Sequence, residues 1–178
     1  MKKGPFEVLS SKIVYKNPWI NVREDKVKRP DGVNAVIGVV EYGQGVSILA
    51  FDEENKVCLI REYMYAIERE DIMLAAGGVE KGETPINAAK RELLEEIGLK
   101  SDNWIELGIA HPLTMVIKSP FNMFIALNCK KVAKGESEIK MVKHTFEEVL
   151  KMVENGSISH SGSLSTILKA KLFFEGNK

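Results

Sequence analysis

The stretch from Gly77 to Leu99 constrains this chain more than any other. It opens with Gly77-Gly78, passes through Lys81-Gly82-Glu83 and reaches Thr84-Pro85, an N-cap residue type followed by a proline suited to the first helical position. Ile86, Ala89, Leu93 and Ile97 then recur at three- and four-residue spacings, which predicts a helix with one apolar face. Gly98 supplies the residue that adopts the left-handed conformation after the last turn. The same helix carries Glu92, Glu95 and Glu96 at i, i+3 and i+4, so the three carboxylates project to one side, roughly opposite Leu93 and Ile97. Packing like charges this way costs a few tenths of a kcal/mol per pair, and becomes favourable when a divalent cation sits among the oxygens. Hard oxygen donors suit Mg²⁺ or Mn²⁺. Arg91 is placed to pair with Glu95 one turn on. For three glutamates taken alone, a solvated surface face is the simpler account.

The flanking sequence predicts mixed structure. Residues 6–50 hold alternating or β-branched runs, among them Lys12 to Tyr15, Ile20 to Arg23 and Val36 to Val40, punctuated by Pro30-Asp31-Gly32 and Gly43-Gln44-Gly45; they read as a β-meander. Val46 to Phe51 and Val57 to Ile60 read as a core hairpin around the charged turn 52–56. Strands return at Trp104 to Ala110 and Met123 to Cys129. Thr145 with Glu148 makes a capping-box pattern for a helix that Gly156 ends, and a last helix is expected from Ser163 to Phe174, with serines near His160 as its cap. Strands alternating with three helices, without internal repeat, argue for a mixed α+β or a layered α/β/α domain.

Composition narrows the function classes. Lys+Arg and Asp+Glu are both 25 in 178 residues, so no net positive field attracts a polyanion, and nucleic-acid binding is not expected. No apolar run approaches the 18 or so residues of a spanning helix, and no signal-peptide core follows Lys2-Lys3; the expectation is a cytoplasmic protein that does not bind membranes. Cys58 and Cys129 are too few and too far apart for a zinc cluster or a disulfide framework, and read as buried reduced thiols. Lys140 to His144 reads as a solvated basic edge.

Written out, the segment is Gly77, five residues, Glu83, seven residues, Arg91-Glu92-Leu93, one residue, Glu95-Glu96, one residue, Gly98-Leu99. It matches the Nudix box, G-x5-E-x7-R-E-U-x-E-E-x-G-U with U aliphatic, at every specified position, an agreement expected by chance on the order of 10⁻⁸ of the time at average residue frequencies. On this motif the chain is identified as a member of the Nudix hydrolase superfamily. The resemblance implies an α/β/α sandwich and hydrolysis, with Mg²⁺ or Mn²⁺, of a nucleoside diphosphate linked to another moiety. By motif position, Glu92, Glu95 and Glu96 would bind metal and activate water, with Glu83 and Arg91 completing the catalytic set. The carbonyl of Ala76 resembles a further metal ligand, and Gly77 and Gly78 would permit close backbone approach.

The runs Cys58-Leu59-Ile60-Arg61-Glu62-Tyr63-Met64-Tyr65 and Leu74 to Glu83 resemble the ADP-ribose pyrophosphatase branch. That likeness implies a β-meander over residues 1–43, serving dimerisation and the substrate pocket, ahead of a hydrolase domain over 44–178. It implies a homodimer and a nucleotide-sugar or dinucleotide substrate split into a nucleoside monophosphate and a sugar phosphate. Expected substrate contacts are Trp19, as a stacking or a packing residue, with Arg61, Met64, Gly77, Gly78 and His111. Met64 stands where the branch has an arginine, and Met73 and Ala75 replace a glutamate and a proline. The branch's loop glutamate aligns near Ser119, and residues 111–120 contain no acid. The expected general base is therefore Glu95 or His111, the latter for its ordinary pKa near 6.5. Met64, Met73 and Met115 form an apolar pocket wall or belong to the core. A ligand-sensing protein of low turnover and a nucleoside triphosphate pyrophosphatase are the alternatives.

Overall fold

Side-chain alternation along the strands decides how this chain is layered. The computed structural model describes residues 1–176; the last two positions of the expected 44–178 domain lie outside the described residues. In chain order the first strands are β1 (Lys2–Lys3), β2 (Phe6–Lys16), β3 (Ile20–Lys28), β4 (Asn34–Tyr42), β5 (Gly45–Asp52) and β6 (Val57–Met64). After a 3₁₀ turn at Tyr65–Ile67 come β7 (Arg69–Met73), β8 (Ala75–Gly78) and helix α1 (Pro85–Ile97). There follow β9 (Leu99–Lys100), β10 (Asn103–Ala110), β11 (Ile117–Lys118), β12 (Phe121–Lys131) and β13 (Lys140–His144), then helices α2 (Phe146–Glu154) and α3 (Ser161–Gly176). The chain divides into two compact units, Met1–Gln44 with His111–Pro120, and Gly45–Ala110 with the chain from Phe121 onward.

In the first unit β1 to β4 form an antiparallel meander in chain order, and β11 adds to β4 in parallel. Asn17 makes the turn between β2 and β3, its Oδ1 accepting from the backbone N–H groups of Trp19 (2.9 Å) and Ile20 (2.7 Å), the Asx-turn chemistry that asparagine favours. A chain of charges crosses the sheet. Asp25 is buried and accepts from Lys3 Nζ at 2.9 Å and Arg23 Nε at 3.0 Å, while Arg23 also pairs with Glu41.

The second unit is built on a mixed sheet ordered β10-β12-β5-β6-β13. Its central strand β5 is buried almost throughout. Val46, Ile48 and Ala50 pack with Ala89, Leu93 and Ile97 of α1, whereas Leu49 and Phe51 pack with Val149 of α2 and Ile167 and Ala170 of α3. One sheet therefore separates two apolar cores, and the expected α/β/α sandwich forms. β5 pairs with β6 at Ala50 and Phe51 but with β8 from Gly45 to Ile48, while β6 goes on to pair with β7. This split in the sheet delivers residues 75–78 to the underside of α1.

Three local details depart from expectation. Thr84 takes the extended N-cap conformation but its side chain makes no capping hydrogen bond, so the start of α1 rests on Pro85 and on the Thr84 carbonyl. α3 begins at Ser161, two residues earlier than expected, and runs to Gly176. Its first turn is closed by His160, whose carbonyl accepts from Leu164 N and whose Nδ1 faces Ser163. The capping box of Thr145 and Glu148 forms as read, and Gly98 takes a left-handed φ of 64°. Cys58 and Cys129 are free and buried, and burial pushes their thiols up to about 11 and about 12. No helix among the described residues is long and apolar enough to cross a membrane.

Candidate active site

Arg91 organises the acidic end of the second unit. Its Nη1 reaches Glu92 at 2.8 Å and Glu95 at 3.0 Å, its Nε and Nη2 reach Glu83 at 3.2 and 3.1 Å, and Nη2 also donates to the Gly78 carbonyl at 2.8 Å. A guanidinium with five donors in a fixed fork can serve this many acceptors where an ammonium cannot. Its hydrogen bond holds the Glu83 carboxyl below the usual range. The expected Arg91–Glu95 pair is present, and the Glu83 and Gly78 contacts extend it from the helix to the loop before it.

The three helix glutamates do not share one environment. Glu95 is half exposed, while the Glu92 side chain is largely covered and Glu96 is buried at 9% exposure. Glu96 turns toward β8 and accepts from the Ala76 N–H at 3.1 Å. Burial raises both covered carboxyls, Glu96 to about 8 despite the Ala76 hydrogen bond, with the charges of Glu92, Glu62 and Glu136 adding to the rise. The solvated stripe expected from spacing alone is thus two largely covered acids and one half-exposed acid paired with Arg91.

Gly77 explains where Glu92 goes. A Cβ built on Gly77 collides with the Glu92 carboxylate, whereas one on Gly78 meets nothing within 4 Å. The close approach expected of both glycines belongs to Gly77, and Gly78 contributes its carbonyl. Arg91 and the Ala76 N–H currently occupy the carboxylate oxygens, and among the described residues no three acidic, His or Cys side chains converge as a metal cage. The donor chemistry nevertheless fits a hard divalent cation: Glu92 and Glu96 are two partly desolvated carboxylates on one helix, raised chiefly by burial, and a cation beside them would favour their charged forms.

The structure also supplies acids that sequence alignment missed. The segment after β12 wraps the C-terminal end of α1: Glu136 N donates to the carbonyls of Glu95 (3.1 Å) and Glu96 (3.2 Å), and a Cβ on Gly135 would collide with the Glu96 carbonyl. Glu136 is near enough to raise both Glu96 and Glu62, and Glu138 also raises Glu62. The signal for this was Gly135-Glu136-Ser137-Glu138, a glycine beside two acids. Residues 111–120, where an acid was sought, instead belong to the N-terminal unit and are tied to β4 by the Val40 N to Val116 O bond at 2.8 Å and by Ser119 Oγ donating to Gly43 O at 3.1 Å. His111 and exposed Met115 go with them. Met64 and Met73 line one pocket of the second unit.

On β6, Cys58, Ile60 and Met64 lie on the α1 side, which by alternation takes Glu62 with them and sends Arg61 to the opposite face. Trp19, in the N-terminal unit, is 71% exposed and lines a concavity of about 470 Å³ with Asn21, Glu41, Tyr42 and Lys118.

Two family profiles match the chain, the nucleoside diphosphate sugar hydrolase N-terminal domain over residues 6–38 and the NUDIX domain over residues 41–156. The chain belongs to the Nudix family. It is a Nudix pyrophosphohydrolase, ADP-ribose pyrophosphatase-like in sequence. An ADP-ribose pyrophosphatase of Mycobacterium tuberculosis is 26% identical over 94% of this chain and 84% of its own length, and one of Bacillus subtilis is 23% identical over 89% and 88%. A crystal structure of an ADP compounds hydrolase superposes with a TM-score of 0.87 at 18% identity, covering 99% of this Nudix chain and 98% of that one; this likeness establishes the fold. Within the Nudix box of this chain, Glu83, Arg91, Glu92, Glu95 and Gly77 stand within one connected set of contacts, and Glu96 bonds to the N–H of Ala76 just before Gly77.

Proposed function

We propose that the chain hydrolyses the pyrophosphate linkage of ADP-ribose or a nucleotide sugar, releasing a nucleoside monophosphate and a sugar phosphate. The observation that carries this reading is the seating of the Glu92 carboxylate over the missing side chain of Gly77 beside buried Glu96. Glu92 and Glu96, with the Ala76 carbonyl, would hold Mg²⁺ or Mn²⁺. When bound, the cation neutralises phosphate oxygens and lowers the pKa of the attacking water. Glu83 fixes Arg91, and Arg91 orients Glu92 and Glu95. Glu136, brought to the end of α1 by its backbone bonds to Glu95 and Glu96, takes the proton from water in place of the earlier candidates Glu95 and His111.

In the N-terminal unit, the concavity around Trp19 offers a stacking surface with Asn21 and Glu41 as polar readers, which suits a nucleobase. Leu9, Ile13, Val14 and Val36 are exposed on this unit, and support a homodimer formed through it. The sensing alternative drew on a missing loop acid and on Met64; Glu136, bonded through its backbone to the end of α1, weighs against the first of these. The test is a product-resolved assay of ADP-ribose, ADP-glucose, GDP-mannose, dinucleotides and nucleoside triphosphates with Mg²⁺ and with Mn²⁺. A nucleoside monophosphate plus a sugar phosphate, lost in Glu96→Gln, is the expected result. Cleavage confined to triphosphates, or no cleavage at all, overturns the reading.

A further inference from the structure

A second concavity, of about 630 Å³, opens in the catalytic unit where β6 and β7 continue past the split in the sheet, lined by Met64, Ile67, Arg69, Asp71, Met73, Ser159 and His160 among others. Its walls and floor differ in chemistry. Met64 and Met73 pack against the same apolar cluster as Leu93 of α1, and Ile67 lies half exposed on the 3₁₀ turn.

The floor is polar and held in place. Asp71, only 8% exposed, accepts from its neighbour Ile72 N at 3.1 Å and from Ser159 Oγ at 3.3 Å, which leaves half of a carboxylate's four acceptor positions for a ligand. Leu74 N donates to Ser163 Oγ at 2.9 Å, and Ser163 Oγ in turn lies 3.0 Å from His160 Nδ1, which also accepts from Ser163 N. With Nδ1 an acceptor, the proton of the neutral ring sits on Nε2, giving the pocket a donor beside the Asp71 acceptor. Asp71 stands directly across from Glu62 in the β6–β7 pairing, and Glu62 is near enough to α1 for its charge to raise the Glu96 carboxyl.

We propose that this pocket receives the sugar of a nucleoside diphosphate sugar, with Asp71 and His160 bonding its hydroxyls and Met64, Ile67 and Met73 covering its C–H face. The assignment rests on the hydrolase reading above and adds the residues that select the departing group. A bound sugar needs both surfaces at once, an apolar one for its ring and paired donors and acceptors for its hydroxyls; a purely apolar ligand would leave the remaining acceptor positions of Asp71 desolvated and unfilled.

The test uses full-length protein carrying ¹³C-methyl methionine, with Ca²⁺ in place of the catalytic cation. ADP-ribose, ADP-glucose and GDP-mannose are expected to shift the Met64 and Met73 methyl signals, and ADP and GDP to leave them in place. Asp71→Asn should weaken the preferred nucleotide sugar at least fivefold while ADP or GDP affinity stays the same. Ile67→Glu, at a half-exposed position on the 3₁₀ turn, should do likewise. Hydrolysis of a nucleotide sugar with both methyls unmoved, or equal weakening of sugar and parent diphosphate, overturns the pocket alone. A panel neither bound nor hydrolysed overturns the pocket and the hydrolase reading together.

Discussion

The carboxylate of Glu92 occupies the space that any side chain on Gly77 would need. One residue lies at the end of β8 and the other in the second turn of α1, so helix and strand meet at a point where only glycine leaves room. Gly77→Ala should displace Glu92 without unfolding the protein, because the obstructing atoms are the far end of a flexible side chain. We expect turnover and Mg²⁺ affinity to fall at least tenfold with little change in melting temperature. Gly78→Ala, built into open space, should lose far less; steady-state kinetics across a Mg²⁺ titration compare the two.

Arg91 holds three carboxylates and a carbonyl at once. Arg91→Lys keeps the charge and loses the fork, so it should behave nearly as Arg91→Ala, with kcat down about a hundredfold, a magnitude typical of lost positioning. Recovery of near-native kcat in the lysine variant would show that charge alone matters.

Glu96 folds with its carboxyl raised to about 8 from an ordinary 4.5. A raised acid stabilises the fold in its protonated form. Its contribution is full below pH 4.5, declines as pH rises, and is gone above about 8. Metal-free protein should therefore lose stability between pH 5 and pH 8, on the order of a few kcal/mol at most, and its melting temperature should fall accordingly. Millimolar Mg²⁺ should flatten that slope, and Glu96→Gln should reduce it to the smaller part that the raised Glu92 carboxyl contributes. Thermal melts in EDTA across this range decide the matter.

Asp25 behaves in the opposite sense. Hydrogen bonds from Ser11, Lys3 and Arg23 hold its carboxyl down at about 2, so the stability it confers is present above pH 4 and lost as pH falls toward 2. Asp25→Asn should cost about 2 kcal/mol at neutral pH and should make acid unfolding shallower, as read by chemical denaturation at pH 7 and pH 3.

Glu136→Gln separates the candidate bases. If Glu136 takes the proton, kcat should fall about 10²- to 10³-fold with KM nearly unchanged, while His111→Ala should leave the acid limb of the pH–rate profile where it was. A Glu136→Gln enzyme with wild-type kcat would return the role to Glu95.

Much of this molecule was legible in the chain itself. The helix from Pro85 to Ile97, its closing Gly98, the Thr145–Glu148 capping box and the strand runs follow from local chemistry, because caps, turns and periodicity act over a few residues. The residues of the Nudix box were legible for the same reason: they lie within one loop and one helix. What only the tertiary structure decided involves partners far apart in sequence. Spacing placed Glu92, Glu95 and Glu96 on one side of a helix, but the split sheet that brings Ala76 and Gly77 beneath it determines which of them is buried and how far its pKa moves. Pattern matching sought the loop acid at 111–120, and the fold sends that loop to β4 while bringing Glu136 to the end of α1. Asp71, Ser159 and His160 come from a strand and a helix start nearly ninety residues apart, and no local rule joins them. Desolvation and charge coupling depend on distance in space, which the order of residues along the chain does not specify.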